Sequence, residues 1–326
     1  MTARAVHVTK FGGPEVLKVV NIPIPTPKDG EVLIRVHSAG VNPVDTYIRE
    51  GLYTKTNPPF ISGGDAAGVV ETVGENVTEF KKGDRVYVAA AFTGTYAEYI
   101  SVSVRYVALL SDSLSFAQGA SIGIPYYTSF KALYIIAHAK PGDIVLVHGA
   151  SGAVGIAAVQ IALANGQRVF GTAGTEQGVN LVKKLGAEQV FNHREEGYMD
   201  QILKATDGKG VNVILEMLAN VNLDKDLDIL AFRGRVVIVG CRGNIEINPR
   251  KTMFKETSII GTALLSIEDE REWTQIKADA QAGQSAGWLV PIVAKEYKLE
   301  EAGQAQFDII NNTGTFGKLV LNTARD

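Results

Sequence analysis

Cysteine is almost absent: the 326 residues contain one, Cys241. A lone thiol cannot close an internal disulfide, which suits a reducing compartment, and a cytoplasmic location is expected. Positive charge is not in excess either, since 32 Lys and Arg against 35 Asp and Glu leave a net charge of −3. That balance offers no basic field to a nucleic-acid backbone and no polybasic patch to a membrane. No stretch approaches the roughly 20 uninterrupted apolar residues of a membrane span. Residues 1–7 lack the apolar run of a signal peptide. Internal repeats and low-complexity tracts are missing too. What remains, 46% hydrophobic and 21% charged, is ordinary for a globular enzyme. Its length exceeds the size at which one core usually stops growing, so two domains are expected.

The first third carries short β-type runs broken by turn residues, at 32–37, 68–74 and 83–88, and reads as an irregular, mostly antiparallel β domain. The three alternating prolines Pro23, Pro25 and Pro27 read as a connection rather than a recognition motif. Near Ser121 the pattern changes. Strand-like runs at 144–148, 167–172, 189–192, 211–216 and 235–240 alternate with segments of helical length, among them 153–165, 176–185 and 223–232. Such alternation predicts a parallel, doubly wound sheet with helices on its faces. Past residue 261 the alternation is less clean. The closing stretch 316–321 reads as a strand whose domain periodicity alone does not assign.

Between the first of these strands and its helix lies Gly149-Ala150-Ser151-Gly152-Ala153-Val154-Gly155. Ala150-x-Gly152-x-x-Gly155 satisfies the dinucleotide fingerprint with alanine in its first place. The first small residue allows a tight turn, Gly152 lets backbone approach a pyrophosphate, and Gly155 lets helix and strand pack closely. The position after a strand and at the mouth of a helix is the context that gives the motif weight, because the helix N-terminus presents free N–H groups to a diphosphate. A dinucleotide with a plain ribose wants an acid about 20 residues on. Here the chain reads Gly171-Thr172-Ala173-Gly174-Thr175, with no carboxylate until Glu176. A missing acid favours the phosphorylated cofactor, NADPH. His193 and Arg194 are the nearest downstream groups able to face its phosphate, although a plain surface turn accounts for His193 equally well.

The loop, the segment Gly40-Val41-Asn42-Pro43-Val44-Asp45 and long stretches such as Phe191-Asn192-His193-Arg194-Glu195 and Glu216-Met217-Leu218-Ala219-Asn220-Val221-Asn222 resemble the medium-chain dehydrogenase/reductase superfamily. Within it the chain is most similar to the quinone oxidoreductase branch that includes zeta-crystallin. That resemblance implies a Rossmann doubly wound parallel sheet inserted in a GroES-like β-rich domain. The catalytic, substrate-binding domain would take 1–120 and 262–326, and the NADP-binding domain 121–261. It also implies a homotetramer and one-electron reduction of ortho-quinones. Some members serve as lens proteins or bind AU-rich RNA, but this sequence has no basic stripe for RNA. Where zinc-dependent relatives carry a ligand cysteine, this chain reads Gly40-Val41-Asn42-Pro43; where they carry Gly-His-Glu, it reads Gly63-Gly64-Asp65. No metal is therefore expected. A quinone, already electron-accepting, needs less electrophilic help than a ketone, so quinone reduction is the expected activity, with reduction of an enone or alkenal as the alternative.

By the same resemblance Tyr47, Asn42 and Thr128 are the expected catalytic-pocket residues. Tyr47 would contact cofactor and substrate, and Thr128 the nicotinamide. For Tyr47 packing between domains is the lesser alternative, and for the aromatics beside Thr128 packing serves equally. Ser151, Gly152, Ala153, Val154 and Gly155 would hold the diphosphate, and Gly174 and His193 would lie toward the adenosine phosphate. Asn222, Val239, Gly240, Cys241 and Arg242 would approach the nicotinamide side. Some bacterial relatives place a lysine where this chain has Gly178. Lys318 reads as a solvated lysine rather than an anion contact. No general acid–base pair stands out, so positioning would carry most of the chemistry.

Overall fold

The computed structural model describes residues 1–53, 57–91, 94–311 and 316–324. The chain divides into two compact units, residues 1–124 with 290–326, and residues 125–289. The second unit closes at 289 rather than at the expected 261. The physical reason is that 262–289 is anchored there: Lys131 Nζ donates to Ala263 O at 2.9 Å, Trp273 packs on Tyr127 and Trp288 on Phe130.

The first unit is built on a twisted, mainly antiparallel sheet. Strand Glu31–Val41 pairs antiparallel with Asp65–Val73, Tyr99–Ser103 and the late strand Lys318–Asn322. That last pairing brings the closing stretch home to the first unit. Alternation along these strands turns Val32, Ile34, Val36, Val70, Val86 and Val88 into one buried core. Helix Pro43–Arg49 follows the central strand directly, with Pro43 at its first position and Asn42 before it.

The second unit is a six-stranded parallel sheet. Its strands are β1 (Ile144–Val147), β2 (Arg168–Ala173), β3 (Gln189–Asn192), β4 (Val211–Glu216), β5 (Leu230–Ile238) and β6 (Ser258–Gly261). They lie in the order β3-β2-β1-β4-β5-β6, so the order reverses between β1 and β4. In open sheets of this kind the crevice at the carboxyl ends of the strands, at the reversal, takes the ligand. Helices α1 (Ala153–Ala164), α2 (Glu176–Lys184), α3 (Tyr198–Ala205) and α4 (Ala219–Ile229) supply the connections. Leu146, Phe170, Ile202, Ile214, Leu223, Leu227 and Val236 fill the core against the sheet. The helix expected over 223–232 lies at 219–229, and β5 begins at Leu230, five residues before the expected strand. Ile229-Leu230-Ala231-Phe232 carries the apolar pattern of α4 straight into it, so no turn residue marks the boundary. Among the described residues, no helix is long and apolar enough to cross a membrane.

Candidate active site

The fingerprint loop joins β1 to α1. Gly149 takes the left-handed turn, with φ +57°, so the tight turn falls one residue before the alanine to which the motif assigned it. A Cβ on Gly155 would sit 2.6 Å from Ala150 Cα; only glycine lets α1 pass this close to the loop. Gly152 opens α1 without any side-chain cap, leaving the first N–H groups of a twelve-residue helix free for an anion. Ser151, Gly152, Ala153 and Val154 are all half-buried around this turn. Two bonds hold α1 in place: Tyr126 donates to Gln160 Oε1 at 2.6 Å, and Ser129 Oγ donates to Val154 O at 3.0 Å. Thr128 lies between these anchors and is 9% exposed.

Gly174 follows β2. A Cβ there would meet His193 Nε2 at 2.6 Å and Arg194 Nε at 3.0 Å, so the glycine makes room for an imidazole and a guanidinium at the end of β3. The surrounding chain lowers the His193 pKa, first by desolvation and then through the charges of His148 and Arg194. Gly178 packs on Ser151, with a Cβ falling 3.0 Å from its Oγ. The lysine found at this place in some relatives would crowd the loop.

The remaining expected residues gather at the ends of β4 and β5. Val239 N–H and Gly240 N–H donate to the Glu216 carbonyl at 2.8 and 3.1 Å, and Ala219 N–H donates to Gly240 O at 3.0 Å. Asn222 Nδ2 donates to Glu216 Oε1 at 3.3 Å. Arg242 N–H donates to Asn220 Oδ1 at 2.8 Å, and exposed Cys241 lies 3.0 Å from Gly243 O. Thus Ser151 to Gly155, Gly174, His193, Asn222 and Val239 to Arg242 all lie at the carboxyl edge of one parallel sheet.

In the first unit, Asn42 is buried and its amide is already engaged. Nδ2 donates to Asp65 Oδ2 at 3.0 Å, and Oδ1 accepts from Lys318. Asp65 is fully buried. It accepts from Ala90 N–H and Ile124 N–H at 3.0 Å each, with Lys318 Nζ 3.6 Å away. Burial raises the Asp65 pKa and Lys318 pulls it down; burial lowers the Lys318 pKa. Lys318 is thus a buried cation, not the solvated lysine the sequence suggests. This is where zinc-dependent relatives carry ligands, and the donor set does not fit zinc: an amide, a carboxylate committed to N–H donors, and an ammonium supplying the positive charge. Tyr47 is half-buried on helix Pro43–Arg49, its ring 6.3 Å from that of Tyr53. Among the described residues its hydroxyl has no hydrogen-bond partner.

Residues 28–112 match the family model described as alcohol dehydrogenase GroES-like domain, and 153–278 the one described as zinc-binding dehydrogenase. The human protein named quinone oxidoreductase is 53% identical over 320 residues, covering 98% of this chain and 97% of the relative. The chain belongs to the quinone oxidoreductase branch of the medium-chain dehydrogenase/reductase superfamily. This superfamily uses nicotinamide dinucleotides. Among solved structures, a mycobacterial protein complexed with NADPH is 30% identical, with a TM-score of 0.89, over 98% of this chain and 99% of that one. A structure described as an NAD-dependent alcohol dehydrogenase is 28% identical, with a TM-score of 0.90, over 98% of this chain and all of that one. The superfamily fold therefore serves either cofactor, and side chains decide between them.

Proposed function

We propose that the chain is an NADPH-dependent quinone reductase. The observation that carries the cofactor choice is the juxtaposition of Gly174 with His193 and Arg194 at the end of β2, where a carboxylate would otherwise hold a ribose hydroxyl. Two cationic or protonatable groups beside a glycine suit a phosphate; no acid stands there to repel one. The loop 149–155 would hold the diphosphate on free N–H groups. Asn222 and the turn from Val239 to Arg242 would lie toward the nicotinamide, with Thr128 as a polar contact. When bound, the nicotinamide supplies two reducing equivalents, as hydride to one quinone or as single electrons to two.

The hydroxyl of Tyr47, without a hydrogen-bond partner among the described residues, is our choice for a hydrogen bond to a quinone oxygen. Asn42, with both ends of its amide engaged, we assign to positioning the segment that carries Tyr47. The relatives named as quinone oxidoreductases support the acceptor. One-electron output would give two semiquinones per NADPH, which oxygen uptake during turnover reads directly. The test of the acceptor is parallel NADPH oxidation with an ortho-naphthoquinone and with a short alkenal. Fast quinone turnover is expected. Negligible quinone turnover beside rapid alkenal turnover would replace quinone reduction by double-bond reduction.

A further inference from the structure

Beneath the fingerprint loop lies a polar cluster for which the cofactor contacts have no use. His148, Thr172, Glu216 and Asp226 come from β1, β2, β4 and α4, and none is more than 3% exposed. Gly149 N–H donates to Thr172 Oγ1 at 3.2 Å, which frees the Thr172 hydroxyl proton for His148 Nδ1, also at 3.2 Å. The ring proton then sits on Nε2 and is donated to Asp226 Oδ1 at 2.9 Å. This tautomer is a neutral imidazole, and burial lowers the His148 pKa accordingly. On the far side, Glu216 Oε1 accepts from Leu218 N–H and from Asn222 Nδ2. That leaves Glu216 Oε2 and Asp226 Oδ2, both buried and without a hydrogen bond among the described residues, Oε2 lying 3.6 Å from His148 Nε2. Two buried carboxyl groups with ligand atoms within 4.8 Å of each other are most stable with a proton between them. Burial first, then mutual proximity, pushes Glu216 up to about 7, and burial does the same for Asp226.

His148, Glu216 and Asp226 also have the chemistry of metal ligands, with ligand atoms within 4.8 Å of one another. A zinc ion would hold them around bonds of about 2 Å. Nε2 and Oδ1 are instead in direct hydrogen-bond contact, which a proton explains and an ion does not.

We propose that His148, Thr172, Glu216 and Asp226 are positioning residues that tie the fingerprint loop to the Leu218–Asn222 turn through one proton shared by Glu216 and Asp226, and that loss of this proton weakens binding of either nicotinamide dinucleotide. At one end the chain of bonds fixes the first peptide of the loop, where Ala150 N–H also donates to Thr172 O at 2.8 Å. At the other it fixes Leu218 and the first turn of α4, which bears Asn222. With the proton in place the cluster carries one negative charge; without it, two charges lie under a site for an anionic diphosphate. The other titratable groups facing it are Tyr198 at the start of α3, whose phenol burial raises to about 12, and His193 after β3. Tyr198 stays neutral through the relevant range. His193 can act on the 2′-phosphate only, so it separates from the cluster by cofactor.

The inference rests on reading 149–155 as the cofactor loop. Its test is the Kd of NADPH and of NADH, by fluorescence, from neutral to alkaline pH. For the wild-type protein the NADH affinity is expected to fall by up to about tenfold per pH unit above the titration of the pair, and the NADPH affinity to fall at least as steeply, because His193 adds its own loss. The fall should appear in the KM for cofactor and not in kcat. In Asp226→Asn the amide keeps a hydrogen bond to Glu216 but has no proton to lose, so the alkaline fall should vanish for NADH and shrink for NADPH to the part that His193 contributes; Glu216→Gln, a second variant with the same expectation, covers a failure of the first to fold. An alkaline fall confined to NADPH, a flat wild-type profile, or a fall in NADH affinity that survives in the folded variants would each overturn the inference while leaving the loop in place. Binding of neither cofactor by the wild-type protein would remove the loop reading itself, and the inference with it.

Discussion

At the scale of single residues, two glycines and one histidine carry the cofactor reading. Gly155→Ala drives a methyl group into the Ala150 backbone. Neither side is the free end of a flexible side chain, so the clash must move α1 or the loop. Expected are a loss of about 2 kcal/mol in stability and weaker binding of NADPH and NADH alike, measured by urea unfolding and cofactor titration. His193→Ala should act on one cofactor only. A phosphate beside the imidazole raises its lowered pKa, so NADPH binding takes up a proton and the NADPH-to-NADH affinity ratio falls as pH rises through neutrality. Removing the ring should cut that ratio about tenfold and flatten its pH dependence, with NADH binding unmoved. An equal loss for both cofactors would place His193 outside the phosphate site. The role of the small residues was legible in the sequence because a glycine's function is local. Three other facts were not: the turn belonging to Gly149, the amide of Asn42 being spent on Asp65 and Lys318, and His148 reaching Asp226. The partners lie 276 and 78 residues apart, and no spacing rule joins them.

At the scale of elements, the strands of the second unit were readable because buried parallel strands are short, apolar and bounded by turns. The onset of β5 was not legible because Ile229-Leu230-Ala231-Phe232 runs from α4 into the strand with no turn residue between them. The late strand Lys318–Asn322 was visible as a strand, but its partner, Glu31–Val41, lies nearly the whole chain away. Lys318 shows what that pairing does. It carries an ammonium under Asp65 and Asn42, so three strands and the start of helix Pro43–Arg49 share one ion pair. Lys318→Met strands a buried carboxylate and should cost about 3 kcal/mol. In that variant the folded state holds the Asp65 proton more tightly than the unfolded chain. Its stability therefore falls as pH rises, and the deficit shrinks in acid. Adding Asp65→Asn should recover part of the loss. Unfolding midpoints of the two variants across pH check this; a deficit independent of pH would mean that packing, not charge, is what Lys318 contributes.

At the scale of the whole molecule, a parallel sheet with reversed strand order supplies a ligand edge in one unit. A mainly antiparallel unit supplies a segment whose zinc-ligand places hold an amide, a carboxylate and an ammonium. Membership of the superfamily was legible from long stretches of the chain. The cofactor choice followed from an acid that is missing after β2, and the structure adds the groups that stand in its place. NADPH-dependent reduction is read out by kcat/KM for NADPH against NADH at saturating ortho-naphthoquinone with the wild-type protein. A preference for NADPH of about tenfold or more is expected from one charge-assisted phosphate contact. A preference for NADH of similar size would contradict the account, since nothing would then be gained from His193 and Arg194 at Gly174.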